Sequence, residues 1–210
     1  MTLADLPMFP LGTVLFPHAL LPLHVFEPRY QALVHHCLAR DGHFGVVLIE
    51  RGSEVGGGDV RFPVGTRARV VEAVPLGDGR WYLLVAGADR IRVARWLPEE
   101  PFPRADVELL SDEDDGATAG GRRDTVERLL RRALALKAEL GEPAAPVTGP
   151  LDERPAVAAW QAATMAPVGP VDAQRLLEAT GTGERLRLLE AMLEEEVAVL
   201  AHRLATSGSD

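Results

Sequence analysis

The chain reads as α+β, with strands in its first half and helices in its second, and three observations predict this order. Residues 44–97 carry short β-branched and aromatic runs in which apolar and polar positions alternate. Residues 122–204 carry instead the helical spacing of leucines, alanines and valines. Glycine pairs and prolines separate these runs wherever one would otherwise continue into the next. The 210 residues suffice for one large or two small domains. Cys37 is the only cysteine, so no disulfide forms within the chain, which fits a reducing compartment.

The first element is an apolar segment punctuated by proline, LPMFPLGTVLFPHALLPLHVFEPRY, from Leu6 to Tyr30. Pro7, Pro10, Pro17 and Pro22 cannot donate to a ladder, which confines them to edges and bends. Pro28 suits a first helical position, and Glu27 places negative charge at the positive end of the dipole. Tyr30, Leu33, Val34, Cys37 and Leu38 then share one face of a helix predicted over Glu27–Ala39.

Phe44–Ile49 reads as a strand, followed by a turn at Gly56, Gly57 and Gly58. From Val64 to Val70 the alternation turns Arg67 and Arg69 to water. Gly77-Asp78-Gly79 joins Val70–Leu76 to Trp81–Val85 as a hairpin, and Gly87 with Asp89 sets off a further strand, Arg90–Leu97. These strands are predicted to form an antiparallel meander over residues 1–110.

An acidic, glycine-containing linker is expected over residues 111–121 and a helical subdomain over 122–205. Its first helix runs through Val126, Leu129, Leu130, Ala133, Leu134, Leu136 and Leu140 until Gly141 and Pro143 end it. Glu142–Pro150 is a connector, and Pro155–Met165, Asp172–Thr180 and Glu184–Leu204 are three more helices, with Thr182 placed to cap the last. No internal repeat is visible, and residues 206–210 read as a disordered tail.

The formal charge is −9 and the isoelectric point about 5.2. Residues 1–110 are nearly neutral, with 11 basic and 13 acidic groups, while residues 111–210 have 11 and 18. This balance disfavours nonspecific binding to nucleic acid, which depends on clustered positive charge. The chain opens with no basic leader, and its longest apolar stretch is broken by Pro17, His18, Pro22 and His24, which excludes a span of ~20 apolar residues. A cytoplasmic, membrane-free protein is expected.

Catalytic patterns are missing. A phosphate-binding loop needs Gly-Lys-Ser/Thr at the start of a helix, yet Lys137, the only lysine, follows Leu136 inside a helical pattern. Ser53, Ser111, Ser207 and Ser209 lie in loops or the tail, away from any base on a rigid scaffold. His35, His36 and Cys37, with His24 and His43 nearby, lack the four-residue helical spacing of a metal pair, so neither a metal nor a cofactor is expected. Glu27 and Arg29 could clamp a ligand, but capping and packing of the turn account for them better.

Two features invite a binding role. In Arg90–Leu97 the alternation puts Ile91, Val93 and Leu97 on one face, so Trp96 falls with Arg92 and Ala94 on the wet one. Trp96, and Phe102 between Pro101 and Pro103, are therefore candidate contacts for an apolar polypeptide, since exposed aromatics are enriched at recognition surfaces. Arg67, Arg69, Arg90, Arg92 and Arg95 would form a basic stripe if their strands are neighbours, which is the alternative, nucleic-acid-binding reading.

The Leu6–Tyr30 segment resembles the opening of the N-terminal, substrate-binding domain of Lon proteases. FGVVLIERGSEVG (Phe44–Gly56), VGTRARVVEAVPLGDGRWYLLVAGADRIRV (Val64–Val93), ADVELLSDEDD (Ala105–Asp115) and DAQRLLEATGTGERLRLLEAMLEEEVAVL (Asp172–Leu200) extend the resemblance in the family's order. It implies a PUA-like antiparallel β subdomain with one inserted helix, followed by a helical bundle. It also implies a non-catalytic module that binds exposed apolar protein segments or a protein partner, because the ATPase and peptidase domains of Lon would not fit in a chain of this length. PUA-like barrels also bind RNA, which is what the resemblance offers the alternative.

Overall fold

The computed structural model describes residues 1–52, 58–111, 116–146 and 149–207. Backbone contacts divide the chain into two units, Met1–Ser111 and Asp112–Asp210. The first holds strands β1 (Thr2–Leu11), β2 (Leu20–Val25), β3 (His43–Arg51), β4 (Val60–Pro75), β5 (Trp81–Trp96) and β6 (Arg104–Leu110), with helix α1 (Pro28–Leu38) between β2 and β3. The second holds α2 (Gly116–Glu139), α3 (Pro155–Met165), α4 (Pro170–Glu178) and α5 (Thr182–Ser207), the four helices that the periodicity predicts.

The sheet runs β2-β5-β4-β3-β1-β6, and β6 also pairs with β5. Strands β5, β4, β3, β1 and β6 thus close on one another as a barrel. Strand β2 joins the Trp81–Ala86 half of β5, while β6 joins the Arg90–Trp96 half. The meander expectation fails at one pair: β1 and β3 are parallel, Met8 opposite Gly45 and Leu11 opposite Leu48. A parallel pair requires a crossover connection, and here β2 and α1 form it.

Proline placement follows the stagger of β1. Its Thr2–Pro7 half pairs with β6 and its Met8–Leu11 half with β3, so Pro7 and Pro10 lie in an inner strand without each serving two neighbours. This corrects the expectation that they mark sheet edges. Within the half that pairs with β6 the register shifts between Leu3 and Leu6, and Asp5 there takes a left-handed φ of 58°.

Strand β5 is one continuous element of 16 residues, whereas Gly87 and Asp89 were expected to divide it. Gly87 serves close approach: a Cβ there would lie 2.1 Å from the Phe16 carbonyl oxygen. The hairpin at Gly77–Gly79 forms as expected, with the Leu76 N–H donating to the Arg80 carbonyl at 2.7 Å and Gly79 at φ +86°.

One core cluster fills the space between sheet and helix, where Tyr30, Leu33, Val34 and Cys37 of α1 meet Phe9, Phe44, Val46 and Val85. Leu38, expected on that face, is 43% exposed. Glu27 occupies the N-cap position without a side-chain capping bond, its carboxylate accepting instead from Arg29 Nε at 3.1 Å. A second cluster joins Leu6, Met8, Val47, Ile91, Ala105 and Val107.

In the second unit α2 begins at Gly116, inside the stretch expected to be linker. Helix α5 reaches Ser207, two residues into the expected tail. Gly56 and Gly57 of the expected turn, Ser53, the acidic stretch 112–115 and residues 208–210 lie outside the described residues. Arg185 is wholly buried, its guanidinium 3.4 Å from the centre of the Trp160 ring.

Candidate functional site

Strand alternation places Leu21, Leu23 and Val25 of β2 toward the core and Leu20, Pro22 and His24 outward. Each outward residue faces a partner on β5: Leu20 opposite Ala86, Pro22 opposite Leu84, His24 opposite Tyr82. Tyr82 in turn lies opposite Val74 of β4. The outer face is consequently largely apolar on β2 and the facing half of β5 and extends onto β4 at Val74, while Glu72 and Arg69 of β4 stand opposite Leu84 and Ala86 as its polar rim. Leu20 is 60% exposed, Tyr82 53%, Phe26 51% and Val74 44%.

Ring contacts hold the aromatics in place. The His24 imidazole stacks on Tyr82 with centroids 4.8 Å apart, and the Phe26 ring approaches His24 at 6.1 Å. Beside β2 opens a cleft of about 210 Å³, lined by Phe9, Leu11, Thr13, Tyr30 and the run Leu21–Glu27. Its aromatic wall is the Phe9–Tyr30 stack, centroids 4.1 Å apart, with the Arg29 guanidinium 4.5 Å from the Tyr30 ring. Burial pushes the Tyr30 hydroxyl up to about 12, so it stays a neutral donor at ordinary pH.

Neither aromatic singled out by the sequence belongs to this surface. Phe102 is 4% exposed and packs in the main core, its ring meeting His36 edge-on at 5.2 Å. Trp96 packs against the second core cluster with Val93, Leu3 and Leu109, and the Arg61 guanidinium covers it at 4.5 Å. The register shift between Val93 and Arg95 is the reason. A bulge inserts one residue and exchanges the faces beyond it, so Ala94 and Arg95 are both exposed and Trp96 turns inward with Val93.

The basic stripe does not assemble as a continuous surface. Arg90 is 5% exposed and donates to the Ser111 carbonyl at 3.3 Å. Arg67 pairs with Asp89, and Arg95 with Asp106 at 2.6 Å. Arg92 stands opposite Glu108, and Arg69 is exposed opposite Ala86. Carboxylates thus stand beside three of the five, Arg67, Arg92 and Arg95.

The histidines and Cys37 are likewise separated by their packing. His35 meets Trp81 edge-on, and the Cys37 thiol donates to the His43 carbonyl at 3.4 Å. Burial pushes this thiol up to about 12 and lowers His36 below its ordinary value. Among the described residues no three His, Cys, Asp or Glu side chains are grouped to hold a metal ion, and no helix is long and apolar enough to cross a membrane.

Sequence reasoning missed Leu20, His24, Phe26, Tyr82 and Val74. For Leu20 and Tyr82 the signal was the doubled alternation of β2 and the first half of β5, in which both phases are largely apolar although a barrel strand needs only its inner one to be so.

The described residues thus form a closed mixed barrel and a helical unit, with an exposed apolar strip on the outer face of the barrel's β2–β5 side. The chain belongs to the family of ATP-dependent protease La (LON) substrate-binding domains, whose model matches residues 5–195. It is 30% identical over 209 residues to Lon protease 2 of Herpetosiphon aurantiacus, an alignment that covers 95% of this chain and 25% of that protein. It is 31% identical over 208 residues to Lon protease 2 of Sorangium cellulosum, again with 93% and 25% covered. The chain therefore spans about a quarter of the length of the curated relatives it matches. Among solved structures, a Lon N-terminal domain protein from Xanthomonas campestris superposes with a TM-score of 0.69 at 28% identity, covering 90% of this chain and 98% of that one. The N-terminal domain of a Mycobacterium avium complex Lon protease, at 16% identity and a TM-score of 0.62, shares the fold.

Proposed function

We propose that this domain binds exposed apolar segments of polypeptide chains on the outer face of β2, β5 and β4, and carries out no chemistry of its own. The observation that carries the reading is the row Leu20, His24, Tyr82 and Val74 on the strands, with Phe26 directly after β2, large side chains held half-exposed. Contiguous apolar surface of this kind, rimmed by polar residues, characterises protein interaction sites. Membership of a substrate-binding family supports it. The nucleic-acid alternative loses its support where carboxylates pair with the arginines.

Fluorescence anisotropy with a labelled, unfolded apolar peptide tests the proposal. Tyr82→Ala and Phe26→Ala are each expected to weaken binding by about 1–2 kcal/mol, the scale of an interface aromatic, while Arg92→Ala leaves it unchanged. Binding that ignores both aromatic substitutions would overturn the reading.

A further inference from the structure

We infer that β2 is a receptor edge, and that the bound polypeptide adds to its open side as an extended strand that is apolar at consecutive positions. The inference rests on the polypeptide-binding reading above and specifies how the bound chain lies. Strand β2 ends the sheet order, and no other strand among the described residues pairs with its far side. The Gly87 N–H donates to the Ala19 carbonyl at 2.9 Å, and this pair continues the register that runs from Leu20–Ala86 to Val25–Trp81.

Hydrogen-bonded and non-hydrogen-bonded pairs alternate along an antiparallel ladder. Leu21, Leu23 and Val25 accordingly bond to β5, and the backbone groups of Leu20, Pro22 and His24 turn outward. Pro22 agrees independently, because a residue without an N–H belongs where the existing ladder asks none of it. The open edge thus presents the carbonyls of Leu20, Pro22 and His24 and the N–H groups of Leu20 and His24. Such a row is complementary to an extended backbone, whereas a helix has already used its own groups.

Side-chain geometry then sets the substrate class. One row of an added strand would lie beside Leu20, Pro22 and His24 on the outer face, with Tyr82 of β5 behind His24. The other would turn toward the cleft of about 210 Å³, whose lining comes from β1, β2, α1 and the segments joining them rather than from β5. Both environments are apolar. The favoured segment is therefore one that a folded client buries on both faces, a near-continuous run of valine, isoleucine, leucine and phenylalanine, in preference to an amphipathic helix.

Single-site backbone N-methylation of a labelled apolar decapeptide, with lysines only at its ends for solubility, tests this. N-methyl groups at alternate positions are expected to weaken binding at least tenfold and those between them less than twofold, while saturating peptide slows exchange of the His24 amide at least tenfold. Binding that is lost in Tyr82→Ala yet shows neither alternation nor His24 protection would overturn the added strand and leave the apolar face standing. Failure of the unmethylated peptide to bind would overturn both.

Discussion

At the scale of single residues, burial decides more of the chemistry than residue type. Cys37, close to two histidines in sequence, is 1% exposed, and burial foremost pushes its thiol from 9.0 up to about 12. Tyr30 is displaced from 10.0 to about 12 for the same reason. Both folded values are raised, so the unfolded chain gives up these protons first and stability falls as pH rises. The loss should begin near pH 9 with Cys37, add Tyr30 above pH 10, and continue to about 12. Urea titrations from pH 7 to 11 check this, and Cys37→Ala should flatten the limb between pH 9 and 10. The native thiol should also resist a maleimide until the chain unfolds.

Arg185 poses the opposite problem, a cation with no exposure at all. Its Nε and Nη2 donate to the carbonyls of Leu176 and Ala179, each at 3.2 Å, at the C-terminal end of α4. Those carbonyls lie at the negative end of the helix dipole and have no later turn to bond them. Arg185→Met fills the volume but strands them, and should cost on the order of 2–4 kcal/mol in urea unfolding. A variant as stable as the natural protein would show that Trp160 packing alone carries this corner.

At the scale of elements, boundaries legible in the sequence are those set by proline and by regular hairpins. Helix α3 begins and ends where its proline and periodicity predict, at Pro155 and Met165. The Gly77–Gly79 hairpin is equally plain. Bulges are not legible, because a one-residue insertion in pairing leaves no mark on alternation until the partner strand is known. Trp96 was placed on the wrong face by one such shift. Gly87 was misread as a break, although its role is to admit the Phe16 backbone. Gly87→Ala would set a Cβ 2.1 Å from the Phe16 oxygen. Displacing that turn should destabilise the protein by about 2–3 kcal/mol, as overpacking does, and thermal unfolding of the variant measures it.

At the scale of the whole molecule, residues 1–111 contain a closed barrel with two core clusters of their own. Expressed alone they should melt in a single cooperative transition and retain apolar peptide binding; a non-cooperative melt would show that the helical unit is required for folding. Binding should change less than twofold between 50 and 500 mM sodium chloride, since burial of apolar surface is not screened as phosphate contacts are. A steep loss with salt would return the nucleic-acid reading to first place.

The residue pattern by itself determined the α+β order, the four C-terminal helices, the core face of α1 except for Leu38, and the family, because each depends on local periodicity or on blocks conspicuous in one dimension. Tertiary structure alone decided the parallel β1–β3 pair, the burial of Phe102 and the inward turn of Trp96, the pairing of Arg67 and Arg95 with carboxylates and the exposure of Leu20, Phe26 and Tyr82. These are properties of which strand lies beside which. Pairing distant in sequence is set by how the barrel closes, and only closure assigns one apolar phase of β2 and β5 to the core and leaves the other facing out.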